Sequence, residues 1–172
     1  MKTIKYFFEF IFVITFFFIF RIVGYKNASN LGEFIGKKIG PIFRSKTRIQ
    51  KNLENSNIGN SAKEREIIAK NMWGNYGRIL SEYIFIKHFR KNNLSKFLEV
   101  EGSEILNEIK ANNEQVVFIS GHFNNFELMA MEIEKAGINL CAIYRPLNNP
   151  FLNLIMEKIR KKYICKNQIK KG

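Results

Sequence analysis

The stretch 116-VVFISGHFNNFELMAMEIEKAG-137 decides how this chain folds. Its first five residues, 116-VVFIS-120, form a short apolar run rich in β-branched side chains, the signature of a buried strand. From 124-NNFELMAMEIEKAG-137 the apolar residues recur at helical spacing and stop at Gly137, a residue suited to the left-handed turn that ends a helix. The same alternation continues on both sides. Phe97 to Glu101 reads as a strand, and 103-SEILNEIKANN-113 as a helix with Ser103 as its N-cap. Asn139 to Tyr144 reads as another strand, 146-PLNNP-150 as a loop, and 151-FLNLIMEKIRKKY-163 as a helix. Alternation of this kind predicts an α/β fold, a largely parallel sheet flanked by helices.

In such a sheet the loops beyond the carboxyl ends of the strands gather at one edge, where ligands bind. His122 lies two residues past the strand 116–120, ahead of a helix, and Glu127 falls in the first turn of that helix. A carboxylate that accepts the proton of one ring nitrogen fixes the imidazole tautomer and makes the other nitrogen a better base. The pair has the chemistry to deprotonate a hydroxyl as it attacks a carbonyl or thioester. No Ser or Cys lies close in sequence to serve as a covalent nucleophile. The bland alternative is equally open on spacing alone: a helix-start carboxylate favoured by the macrodipole, and a loop histidine satisfied by backbone.

Residues 6-YFFEFIFVITFFFIF-20 are apolar except for Glu9 and Thr15, with Lys2 and Lys5 before them and Arg21 and Lys26 after. A helix apolar nearly all round does not belong in water. About 15 residues reach roughly 22 Å, short of a hydrocarbon core of roughly 30 Å, so the segment is a short span or a deep interfacial anchor. A signal peptide is the competing reading, but 21-RIVGYKNAS-29 offers only a poor cleavage site. Beyond it, 31-LGEFIGKKIGPIF-43 spaces Gly32, Gly36 and Gly40 four apart, which leaves one helix face smooth for close packing; a loose connector is the alternative. From Ser61 to about Arg90 the pattern is helical, weakened by Gly74 and Gly77.

The 172 residues carry a net charge of +13, which favours an anionic partner without choosing one. Part of that excess reflects a chain rich in Lys, Asn, Ile and Phe throughout. Cys141 and Cys165 have neither metal-ligand spacing nor a His partner and read as packing residues. Nothing resembles a recognition helix, a zinc site or an aromatic RNA-binding strand pair, so nucleic acid is not expected as a partner.

Four blocks occur in an order that is informative. The segments 71-NMWGNYGRILSEYIFI-86, 100-VEGSEIL-106, 119-ISGHFNNFEL-128 and 144-YRPLNNP-150 resemble, respectively, the Asn-x-Gly-Arg helix, the Val-x-Gly-x-Glu block, the His-Phe-Gly-Asn-Trp-Glu site and the Tyr-Arg-Pro-x-x-Asn-Pro loop of the bacterial lipid A biosynthesis acyltransferases. These are the late, lauroyl- or myristoyl-transferring type, within the wider glycerolipid acyltransferase group with its H-x-x-x-x-D/E motif.

The resemblance implies a membrane-bound enzyme that moves a fatty acyl chain from acyl-acyl-carrier protein to a hydroxyl of a lipid A precursor. It implies the bacterial inner membrane, with the catalytic domain on the cytoplasmic side. His122 would be the general base and Glu127 its orienting carboxylate. Asn125 would shape the oxyanion or acceptor pocket, and Arg145 would bind phosphate or neutralise developing charge. Neither a metal nor a cofactor is implied. The sequence departs from the family pattern at Asn124, in place of a usual Gly, and at Phe126, in place of a usual Trp. The first strains the backbone if positive φ is needed there.

The expected organisation is an anchor helix over 1–25, a connector with a short helix over 26–60, and an acyltransferase domain over 61–172. Family members run to nearly twice this length, so the chain reads as an amino-terminal fragment, its domain incomplete and its sheet open at the C-terminal end. Two other readings stand beside the first. One is an acyltransferase for another lipid acceptor, such as a phosphatidylinositol mannoside or a glycerophosphate. The other is a non-catalytic, membrane-anchored basic protein, with the charges between Lys158 and Lys171 on a solvated face toward headgroups.

Overall fold

The amide of Glu64 donates to the Ser61 hydroxyl, and the Glu64 carboxylate reaches back to the amide of Asn60, so two orphan amides are satisfied where the helical pattern begins. In the computed structural model, which describes residues 2–171, that cap opens α4, Ala62–Glu82. Before it come α1, Lys2–Val23, α2, Tyr25–Phe43, and α3, Lys46–Asn55. Gly24, at φ 79°, separates α1 from α2 in a conformation a side chain would strain. After α4 come α5, Ile86–Arg90, α6, Ser103–Ala111, α7, Glu127–Lys135, β1, Cys141–Tyr144, α8, Pro150–Ile159, and β2, Asn167–Lys170. The chain divides into two units, one of residues 16–84 and one of residues 1–15 with 85–172.

In the unit 16–84, α2 packs along α4. The glycine-spaced segment is helical, and its helix starts well before Leu31. A Cβ on Gly32 would strike the Gly77 carbonyl and the Ser81 side chain, one on Gly36 the Trp73 carbonyl, and one on Gly40 the Trp73 ring. The two backbones therefore approach to a distance only missing side chains allow. Beside this seam runs a polar chain. Ser29 donates to the buried Glu82 at 2.7 Å, Arg78 donates to Ser29 at 2.9 Å, and Arg78 also pairs with Glu33. Tyr25, next to Glu82, has its phenol pushed up to about 12, first by burial and then by that carboxylate.

In the other unit the core is formed by Phe85, Ile86, Phe89, Ile109, Met131, Ile133, Ile164 and Cys165. β1 and β2 pair in parallel, with Cys141 opposite Asn167 and Ile143 opposite Ile169. The architecture is thus α/β but mostly helical, and this two-stranded ladder is the whole sheet among the described residues. Residues 116–120 form no strand, with Val117 88% and Ile119 92% exposed. The expected buried strand is corrected on this point: a strand is a pairing, and here the apolar run has no ladder partner. Phe97–Glu101 is not a strand either. A 3₁₀ turn over Ser95–Phe97 takes its start, and the remainder has no ladder. Ser103 is the first residue of α6 and not its cap, because Gly102 at φ 77° turns the chain into the helix. The helix expected from residue 124 begins at Glu127, since Asn124 stands in the left-handed region at φ 44°. The helix expected to reach residue 163 ends at Ile159, and a π-turn, Arg160–Ile164, continues it.

Asn149 caps α8, accepting from the amides of Phe151 and Leu152, while its Nδ2 donates to the Tyr6 carbonyl at 2.8 Å and to Glu9 at 3.3 Å. Phe151 packs on Phe7 and Phe10, with ring centroids 6.1 and 5.8 Å away. The first half of α1 is thereby fastened to α8.

Gly77→Ala is expected to lower stability by about 1–3 kcal/mol through overpacking, the opposite of the helix-propensity gain of about 1 kcal/mol for the same change on an exposed helix. Thermal unfolding of the detergent-solubilised chain, read by circular dichroism, decides the sign.

Candidate active site

Helix α7 starts with Glu127, whose side chain is only 8% exposed. A carboxylate so removed from water needs a compensating charge, and Arg160 supplies it. Its Nε and Nη2 both donate to Glu127 Oε1, at 2.8 and 2.5 Å. Arg160 is the first residue of the π-turn after α8, itself 14% exposed. Its guanidinium lies 5.8 Å from the centroid of the Tyr144 ring. The Tyr144 hydroxyl donates to Glu157 at 2.6 Å, and Asn153 and Lys170 approach the same carboxylate oxygen at 2.7 and 3.2 Å. Those hydrogen bonds, Tyr144's first, hold Glu157 down to about 2. Partial burial, and then the Glu157 carboxylate, push the Tyr144 phenol up to about 12. A row of paired groups thus runs from α7 through Arg160 and the end of β1 to α8.

His122 is exposed, in the loop before α7, and its ring lies against Phe126 with centroids 4.4 Å apart and planes inclined by 56°. Among the described residues, no hydrogen bond joins His122 to Glu127; the carboxylate is engaged by Arg160. Both nevertheless line one open cavity of about 1060 Å³, together with Tyr144, Arg145 and Arg160. Apolar walls from Val116, Phe118, Ile133, Leu140 and Ile143 make up much of the remainder. Arg145 is exposed just past β1. Asn125 is buried in the loop, at 9% exposure, and does not reach the cavity wall. Asn124, in place of the glycine of the motif, adopts the positive φ that such a glycine would serve; Asn is the residue that tolerates it best after Gly.

Arg160 escaped the reading of the sequence because it sits in the run Lys158 to Lys162 and looked like part of a solvated basic face. The signal was present in the spacing. Asn153, Glu157, Arg160 and Ile164 fall at intervals of four, three and four, one helical row, whereas Lys158, Lys161 and Lys162 are exposed.

The sequence profile of bacterial lipid A biosynthesis acyltransferases matches residues 1–166. The chain belongs to that family. Among curated proteins, this lipid A acyltransferase family member is 28% identical over 133 residues to lipid A biosynthesis acyltransferase 2 of Shigella flexneri, covering 75% of this chain and 41% of that protein. It is 24% identical over 135 residues to the lipid A biosynthesis myristoyltransferase of Escherichia coli (strain K12), covering 78% and 41%. It is 28% identical over 135 residues to the lipid A biosynthesis palmitoleoyltransferase of the same strain, covering 76% and 42%. The chain spans about two-fifths of the length of these relatives. No solved structure gives a significant match.

Two expectations follow from the site. Glu127→Gln or Arg160→Met alone should cost about 3–5 kcal/mol, since each breaks a buried ion pair by removing one charge. The double variant should cost clearly less than the two added together, measured by denaturant unfolding as a double-mutant cycle. Glu157 is a pH-sensitive element. Its folded value of about 2 lies below the ordinary glutamate value of 4.5, so its contribution to stability is complete above about pH 4.5 and is lost as pH falls toward 2. Melting temperatures followed between pH 6 and 2 should drop in that window, and Glu157→Gln should flatten the drop.

Proposed function

We propose that this chain carries the catalytic histidine and glutamate of an enzyme that transfers a fatty acyl group from acyl-acyl-carrier protein to a hydroxyl of a lipid A precursor. The supporting observation is that His122, Glu127 and Arg145, the motif positions of the family, line one cavity with Arg160. In this reading the acceptor hydroxyl oxygen attacks the thioester carbonyl carbon while the His122 imidazole takes its proton. The tetrahedral oxyanion collapses, the carbon–sulfur bond breaks, and the imidazolium returns the proton to the leaving thiolate. Arg160 holds Glu127 by Oε1, and a swing of the 121–126 loop brings the ring to the carboxylate's other oxygen, Oε2. Arg145, exposed at the cavity, meets an acceptor phosphate. Asn125, buried away from the wall, serves by holding the loop.

The fold proposed for the whole enzyme is glycerolipid-acyltransferase-like, with β1 and β2 as part of its parallel sheet. The enzyme would work at the cytoplasmic face of the bacterial inner membrane, with α1 as its membrane attachment. The exposed Lys158, Lys161, Lys162 and Lys166 suit the acidic carrier protein as well as anionic headgroups.

The test uses membranes carrying the full-length gene product, incubated with acyl-acyl-carrier protein and a tetraacylated, Kdo-bearing lipid A precursor. His122→Ala should lower turnover by roughly 10²–10⁴-fold at unchanged expression, the range lost with a general base, and Glu127→Ala should lower turnover per folded enzyme as well. Equal turnover in the variants removes the assignment.

A further inference from the structure

Within the unit 16–84, α2 ends in a corner that keeps large apolar side chains in water. Ile42 is 80% exposed and Phe43 75%, more than any other large apolar residue of 25–84. Only Arg44 and Ser45 separate α2 from α3, and the Ser45 hydroxyl caps α3 by accepting from the amide of Arg48. Phe34, 61% exposed, and Lys38 stand two turns and one turn before Ile42 in the same row of α2. Gly32, Gly36 and Gly40 lie on another face of that helix, which α4 already occupies.

The charge around the corner has one sign. From residue 34 to residue 53 the sequence holds Lys37, Lys38, Arg44, Lys46, Arg48 and Lys51, and neither Asp nor Glu. Lys37 is paired with Glu33, and Lys46 with Glu66. Lys38, Arg44, Arg48 and Lys51 are exposed and have no carboxylate partner among the described residues. The acids that bound the stretch, Glu33 and Glu54, are themselves engaged by Arg78 and Arg65. Cations alone would serve an acidic protein or a nucleic acid. Bulky apolar side chains held in water beside them fit a surface that is anionic at its boundary and hydrocarbon beneath. There the apolar groups sink while the long basic side chains keep their heads among the phosphates.

We propose that the α2–α3 corner is a membrane contact in its own right, with Ile42 and Phe43 dipping below the headgroups of an anionic leaflet and Lys38, Arg44, Arg48 and Lys51 meeting its phosphates. The contact rests neither on acyl transfer nor on the way α1 enters the bilayer. It is salt-dependent, because attraction between the cations and the leaflet falls off within a Debye length.

The test uses the chain with Cys141→Ser and Phe43→Cys; Cys165 is buried, so a maleimide carrying an environment-sensitive nitrobenzoxadiazole fluorophore labels position 43. The labelled chain is reconstituted into vesicles of phosphatidylcholine alone or of phosphatidylcholine with phosphatidylglycerol. In the mixed vesicles the emission should shift to the blue, and lipids spin-labelled near the carbonyl end of the acyl chain should quench it more than lipids labelled near the methyl end. The shift should be lost in phosphatidylcholine alone, in about 1 M salt, and in the variant that combines Lys38→Gln, Arg44→Gln, Arg48→Gln and Lys51→Gln. All four side chains are exposed, and circular dichroism checks that the variant keeps its helices. An emission maximum equal to that of the same fluorophore at Ser56, an exposed position beyond the corner, overturns the proposal. So does a blue shift indifferent to the four cations. Shielding that grows with the protein-to-lipid ratio means that a second copy covers the corner, and overturns it as well.

Discussion

Glu127 and Arg160 are 33 positions apart in the chain and both nearly out of water. Removing two charges from solvent is costly, and only their mutual pairing with good hydrogen bonds makes it tolerable. The pair therefore ties the start of α7 to the π-turn after α8, and it accounts for that turn's inward direction. Through the Tyr144 ring it also reaches β1, and through the Tyr144 hydroxyl it reaches Glu157. Each of these contacts depends on the one before. The cavity lies against this row, so the pair that fixes the Glu127 side chain also shapes the cavity wall.

The unit 16–84 is held by the opposite means, an absence of side chains. At Gly32, Gly36 and Gly77 the backbones of α2 and α4 meet so closely that even a methyl group would collide. Close backbones leave no room for water, so the polar groups beside the seam satisfy one another. Ser29, Arg78, Glu82 and Glu33 do this in a continuous series. The Asn-x-Gly-Arg segment combines both features within four residues: Gly77 makes the approach possible, and Arg78 caps the polar series beside it.

The family resemblance was legible in the order of four short blocks; His122, Glu127 and Arg145 line one cavity, although the segment before His122 pairs with no strand. The immediate partner of Glu127 was not legible. Arg160 stands in a basic run whose other members face solvent, and only a row of residues at helical spacing separates it from them. Residues 116–120 have the composition of a buried strand, yet nothing in composition supplies a neighbour to pair with. Asn124 is the reverse case. A side chain at a glycine position hinted at a strained turn, and a left-handed turn is found there.

By itself the sequence determined the elements set by local chemistry: the helical pattern that starts at Ser61, the apolar character of α1 and the glycine spacing of α2. Those follow from periods, caps and missing side chains, all of which act within a few residues. The tertiary structure alone decided which carboxylate meets which guanidinium and which apolar run finds a ladder. Pairing of charges and strands is settled between segments far apart in the chain, and the free energy of a buried charge or an unpaired backbone depends on what lies across the gap, information no local pattern contains.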